Sequence, residues 1–259
     1  MKRRSFLKKS AVAAGAATFA IPAMGNQIIG LKDKGIFEFR HYHIAFGRNK
    51  GLLEDYFKKA LIPLLNKFEV KVGAFDEYSL EEPASVYTLF AYPSPATYFS
   101  VQEALATDTA FLEASKSYRE IPAAAAVYSR YETLLLEAFD AMPALSVPAE
   151  KQGLFELRIY ESATEDAGNR KIRMFNNGEI ALFLKVGLLP VFFGKILAGK
   201  YMPALVYMVG FRDMAERDAN WKKFGSHEEW IAMRAKPEYA DTVSNIHRIF
   251  LTPASYSQI

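Results

Sequence analysis

Two six-residue stretches carry the groups best suited to chemistry, Phe37-Glu-Phe-Arg-His-Tyr42 and Phe155-Glu-Leu-Arg-Ile-Tyr160. Each sets Glu, Arg and Tyr two residues apart, as Glu38, Arg40 and Tyr42 and again as Glu156, Arg158 and Tyr160. That is the period at which side chains of a strand share a face. A carboxylate beside a guanidinium forms charge-assisted hydrogen bonds, and a neighbouring phenol can give or take a proton. These six residues are therefore the candidate binding set for a small, anionic molecule, and Tyr42, Tyr160, Glu38 and His43 are the candidate catalytic groups. The competing expectation is structural: a charge taken from water must be paired whether or not a ligand arrives. His41-x-His43 is a spacing that can chelate zinc, copper or iron, but a dependable centre needs three or four convergent ligands. The second copy has Ile159 and Glu161 at these positions, so His41 is expected to pack beneath a helix as Ile159 does, with His43 at the strand end. Nothing in the sequence brings His227 or His247 to them, and no metal or other cofactor is expected.

The elements that must position these residues repeat. Gly35 to Tyr42 and Gly153 to Tyr160 alternate bulky apolar and polar residues, the signature of a strand. Apolar residues at helical spacing follow the first copy, at Leu53, Phe57, Leu61, Leu64 and Phe68, with a kink expected at Pro63. Strands are predicted over 74–80 and 85–92, helices over 96–106 and 109–120, and a strand over 126–136. The second half replays this order at an offset near 118 residues. Strands fall at 153–161, 188–196, 205–211 and 242–251, and helices at 167–184, 213–224 and 227–235, with Lys185-Val-Gly187 taken as the repeat of Lys71-Val-Gly73. Residues 140–152, with Pro143, Ser146 and Pro148, form the linker.

A β-α-β-β-α-β unit of about 100 residues is the ferredoxin-like arrangement, a four-stranded antiparallel sheet with both helices on one face. Two such units, 34–139 and 153–256, leave two bare sheet faces, which should pack on each other. The fold class expected is thus α+β, with two tandem ferredoxin-like units pairing as an intramolecular dimeric α/β barrel. Phe37, Phe39, Phe155 and Leu157 are assigned to the helix side. Glu38, Arg40, Tyr42, Glu156, Arg158 and Tyr160 are assigned to an unusually polar barrel interior.

Composition narrows the class. The chain has 259 residues, 51% of them hydrophobic, ample for a packed core. Its net charge of +3 includes five Lys and Arg residues within the first 25, leaving 27 basic groups against 29 acidic. The remainder is slightly acidic, which removes the support for a nucleic-acid partner. Zero cysteines exclude disulfides, thiolate ligands and a cysteine nucleophile. No Gly-x-Ser-x-Gly elbow or dinucleotide fingerprint occurs. Residues 1–25 read as a signal peptide. Arg3-Arg-Ser-Phe-Leu-Lys8 resembles the twin-arginine export signal, followed by an Ala-rich run too short to span a bilayer. Recognition by the twin-arginine export machinery through Arg3 and Arg4, a periplasmic or otherwise exported location, and no stable membrane anchor are expected. A homo-oligomer stays open.

Phe155-Glu-Leu-Arg-Ile-Tyr160, the strand at 203–211 and the spacing of Trp221-Lys-Lys-Phe224 to Glu229-Trp230 together resemble the NIPSNAP family of the dimeric α/β-barrel superfamily. The likeness is nearer in the second half. The first keeps Glu-x-Arg-x-Tyr but has Phe99 and Phe111 near the places of the tryptophans. The resemblance implies the barrel fold and supplies no agreed catalytic residues. Binding of a small molecule in the barrel interior is the first expectation. A cofactor-independent monooxygenase or isomerase of the superfamily's kind is the second, and a structural or interaction protein with a filled barrel the third.

Overall fold

The computed structural model describes residues 34–79 and 83–259; the leader expected over residues 1–25 lies outside them. The described residues form one compact unit. The alternating stretch at the start of each repeat forms a strand, β1 (Ile36–Ile44) and β5 (Leu154–Glu161). Behind β1, helix α1 (Gly51–Tyr56) passes through a π-type turn, Phe57–Leu61, into α2 (Ile62–Asn66). Strands β2 (Lys71–Glu77) and β3 (Ser85–Tyr92) follow. Next come helices α3 (Pro95–Thr107), α4 (Thr109–Ala114) and α5 (Lys116–Arg119), then β4 (Tyr128–Ala138). In the second half α6 (Glu165–Met174) passes through the turn Phe175–Glu179 into α7 (Ile180–Lys185). It continues with β6 (Leu189–Ala198), β7 (Ala204–Phe211), α8 (Met214–Ser226), α9 (Glu228–Arg234) and β8 (Asn245–Pro253).

Side-chain caps explain where the long helices begin. Ser94 Oγ accepts from the amide of Thr97 at 3.1 Å, and Asp213 Oδ1, at the equivalent place, accepts from Glu216 at 2.8 Å. Pro63 falls in the first turn of α2, just after the π-type turn, and the backbone there keeps helical angles.

The strands close in the order β1-β3-β2-β8-β5-β7-β6-β4, every pairing antiparallel. This is twice the ferredoxin-like sheet, joined edge to edge where Phe75–Glu77 pairs with Leu251–Pro253 and Leu135–Ala138 pairs with residues 194–198. Closure leaves neither sheet an open edge. At the second seam, a Cβ on Gly194 would lie 2.8 Å from Leu136 Cβ, so the strands can approach only because position 194 has no side chain. The fold expected from the repeat is the fold observed. No described helix is long and apolar enough to cross a membrane.

Two expectations are corrected. The barrel interior is apolar and packed. Phe37, Phe39, Leu89, Leu136, Phe155, Leu157, Phe192 and Met208 share one buried cluster drawn from both halves. Phe37 and Phe192 meet there with ring centroids 5.0 Å apart, and Phe75 meets Phe155 at 5.1 Å. The Glu-Arg-Tyr sets face the other way, into the layers between sheet and helices, with Tyr42 in the first such layer and Tyr160 in the second. Alternation revealed two faces but not which was inner, because helices cover the outer face as fully as closure covers the inner. A closed interior offers buried charges no partners, whereas helices bring their own. The tripeptides Lys71-Val-Gly73 and Lys185-Val-Gly187 are also not equivalent. The first opens β2; the second ends α7, where Gly187 takes φ +86°, and its counterpart at the same offset is Glu69 with φ +58°.

Candidate functional site

Glu156 is fully buried and saturated with donors. Its Oε1 accepts from Arg158 Nε at 2.6 Å and Arg217 Nη2 at 3.1 Å, and its Oε2 accepts from Arg217 Nε at 2.9 Å and Trp221 Nε1 at 2.7 Å. Burial, the largest single influence, raises its carboxyl pKa, but Arg217 and Arg158 together outweigh it and hold the group below its ordinary value. The Arg158 guanidinium lies 3.7 Å from the centroid of the Trp221 ring and donates to Tyr160 Oη at 3.2 Å. Tyr160 Oη and Tyr207 Oη are 2.8 Å apart. Burial lifts the Tyr207 phenol well above its usual pKa, so it stays protonated.

The first half repeats two bonds of this chain, Arg to Glu and Arg to Tyr, and replaces the others. Arg40 Nε donates to Glu38 Oε1 at 2.6 Å, Arg40 Nη1 donates to Tyr42 Oη at 3.3 Å, and Tyr92 Oη donates to Glu38 Oε2 at 3.0 Å. Tyr42 is buried and its phenol is pushed up to about 12, chiefly by that burial. What the halves share is pairing of the buried carboxylate with its strand neighbour Arg; only the second half ties that carboxylate to a helix, through Arg217 and Trp221 of α8. Each set stays with its own half, in a separate layer between sheet and helices, so the six residues do not converge on one site.

What differs between the halves marks the site. In the second, a cavity of about 420 Å³ lies between β5 and the helices, lined among others by Arg158, Tyr160, Lys171, Glu179, Trp221 and Trp230. Lys171 and Glu179 are both buried and form an ion pair at 2.6 Å. The ammonium lies 4.4 Å from the Phe175 ring centroid and 5.4 Å from that of Trp230. Complete burial, working against Lys171, raises the Glu179 pKa above its ordinary value. A kink delivers this carboxylate: inside Phe175–Glu179 the backbone departs from helical angles at Asn177 and at Gly178, where φ is +143°. At the same offset the first half has Leu53 and Leu61, both buried in its core. Met174, which lines the cavity, matches Tyr56 at that offset, and Ile246, opposite Tyr160, matches Tyr131, opposite Tyr42, by strand register, which places Val243 with Tyr128. Those tyrosines fill the first-half space, Tyr56 stacking on Tyr118 at 3.9 Å and Tyr131 lying under the Arg40 guanidinium at 5.2 Å.

Of the expected site residues, Arg158 and Tyr160 line the cavity, Glu156 anchors its wall, and Glu38, Arg40 and Tyr42 belong to the filled half. His41 does not pack beneath a helix. It turns to the barrel interior at one mouth, stacked on Tyr87 at 4.3 Å, with the His43 ring centroid 3.9 Å away and Glu132 beside them. Burial and then the neighbouring His43 lower the His41 pKa to about 4. Lys171, Glu179, Arg217 and Arg234 were not singled out from the sequence. The first two carried a signal: charged residues on one helical segment at the offset where the other copy has leucines. Trp221 and Trp230, which carry part of the resemblance, pack against the second-half core and line the cavity.

No curated protein matches the chain. Among solved structures, it is similar to a proposed monooxygenase from Lactobacillus acidophilus NCFM, with 11% identity, TM-score 0.59, and coverage of 85% of this chain and 94% of that one. A proposed monooxygenase from Fusobacterium nucleatum gives 11% identity, TM-score 0.58, and 86% and 94% coverage. An uncharacterized NIPSNAP-like domain protein from Burkholderia xenovorans aligns at 19% identity over 42% of this chain and 92% of its own, with TM-score 0.39. The first two likenesses concern the α+β barrel, which they share at a distance that speaks of fold. Residues 155–258, the half that holds the cavity, match the NIPSNAP family model, and the resemblance carried by Phe155 to Trp230 is a NIPSNAP resemblance of that half.

Proposed function

We propose that the protein binds a small anionic molecule with a flat apolar body, in the helix-side cavity of its second half and not in the barrel interior. The observation that carries this reading is the lining: Arg158, Lys171 and Arg234 are its cationic groups and Glu179 its carboxylate, with Glu156 behind Arg158 shared between that residue and Arg217, beside the rings of Trp221 and Trp230. A volume of about 420 Å³ is within the range of small-ligand sites. An acid head group would be met by Arg158 and Lys171 and a planar body by the tryptophans. Export through the twin-arginine route, supported by Arg3-Arg4 and the Ala-rich run after them, is part of the proposal.

The chain has two tryptophans, both at the cavity, so its intrinsic fluorescence reports on this place. Titration with benzoate should give a saturable change, and benzamide, a neutral analogue, should bind about tenfold more weakly or worse, a difference of about 1.4 kcal/mol. Equal responses to acid and amide, or none to either or to larger aromatic acids, would overturn the reading.

A second reading, a cofactor-independent monooxygenase or isomerase at the same cavity, is favoured by Tyr160 and the buried Glu179 in its wall. Oxygen uptake or isomerised product on adding a compound that binds would be its mark. Their absence for every bound acid would leave binding alone.

A further inference from the structure

We infer that His41, His43 and Glu132 form a binding site for a divalent first-row transition metal ion at the mouth of the barrel, separate from the cavity of the second half. On sequence spacing alone the two imidazoles lacked a third donor. The strand register supplies it: β4 runs antiparallel to β1 and sets Glu132 directly opposite His41. One ligand atom from each of the three lies within 4.8 Å of the others. Two imidazoles and a carboxylate at this separation are a donor set suited to zinc and its neighbours in the first row.

An independent observation points the same way. His43 Nε2 is shielded from solvent and has no hydrogen-bond partner; the Glu132 Oε1 beside it stands 3.4 Å away. A buried polar atom left unsatisfied calls for an ion or other group to explain it. His41 is held as metal-binding histidines are held, with its Nε2 2.9 Å from Ser85 Oγ, a contact that fixes the ring. Glu132 is engaged by Lys200 and, at 3.2 Å, by Arg130, the side chains of which are 51% and 60% exposed. Both are long enough to swing aside, so they compete with the metal for Glu132 without closing the site. Three protein ligands leave a coordination position open towards the cleft of about 40 Å³ lined by Tyr87, Lys200 and Tyr201, which is room for a water. The second half offers Ile159, Glu161 and His247 at the matching positions, and there His247 pairs directly with Glu161. Among the described residues the site therefore occurs once.

The test uses the full chain after EDTA treatment, dialysed against Zn²⁺ or Co²⁺ and washed. The expected result is about one equivalent bound per chain, with Co²⁺ giving the visible absorption of a low-symmetry nitrogen and oxygen site. His43→Ala should weaken uptake about 100-fold, and Ser85→Ala, which removes an outer partner, about 10-fold. Lys200→Met, which releases Glu132, should tighten it. Each variant is compared by circular dichroism. If a histidine variant does not fold, Lys200→Met and Ser85→Ala still decide, because they must move affinity in opposite directions. Substoichiometric metal in the wild type, or uptake unchanged by His43→Ala and by these two variants, overturns the inference.

Discussion

Lys171 and Glu179 replace Leu53 and Leu61, and the exchange is expensive unless it is used. A buried ion pair costs several kcal/mol of desolvation per ion, and well-packed hydrophobic residues in its place are often neutral or stabilising by about 1–4 kcal/mol. The double variant Lys171→Leu/Glu179→Leu, which copies the first half, should keep or raise the melting temperature while abolishing the fluorescence response to benzoate. Glu179→Leu alone strands the Lys171 ammonium among Phe175 and Trp230 and should lose about 3–5 kcal/mol in chemical denaturation. Stabilities in the reverse order would show that the pair is there for the fold. At this scale the sequence was half legible. The Glu-Arg-Tyr sets were correctly read as same-face partners, because period 2 dictates it. Lys171 and Glu179 were not legible in this way, because only the departure of one copy from the other marks them.

The element that makes the second half different is the turn from α6 to α7. In the first half Phe57–Leu61 continues the helix with ordinary angles and carries leucine inward. In the second, Asn177-Gly178 breaks those angles and Glu179 restarts the helix facing Lys171. At φ +143° a side chain is strained whatever the space, and a Cβ on Gly178 would also lie 3.0 Å from Met233 Cε. Gly178→Ala should cost about 1–3 kcal/mol in an unfolding titration and weaken benzoate binding as well; loss of stability with affinity untouched would separate the kink from the site. Element order was legible from the sequence because the offset near 118 residues carries the whole pattern across. Facing was not, since strands buried on both sides alternate in type without declaring which type is inner. His41 shows the same ambiguity: its match to Ile159 was right, but both face the barrel rather than a helix.

For the molecule as a whole, the barrel interior and the two helix-side layers are three separate apolar clusters, so stability and ligand recognition should be separable. Phe192→Ala, which removes the ring that meets Phe37, should destabilise by about 3–5 kcal/mol and leave benzoate affinity within twofold or so of wild type, about 0.4 kcal/mol. A matching loss of affinity would tie the cavity to the barrel's packing. The architecture itself was legible because a duplicated half-sheet with two bare faces admits few resolutions.

The seams between β2 and β8 and between β4 and β6 join strands of one polypeptide, and that linkage alters what dilution can do. Where two separate chains close such a ring, scarcity opens it. Here each partner meets the other at the effective concentration set by a short tether, however few molecules are present. Freed from having to be twins, one partner could surrender its chamber to tyrosines while the other kept its own vacant. A saturation curve should accordingly plateau at a single occupant per polypeptide.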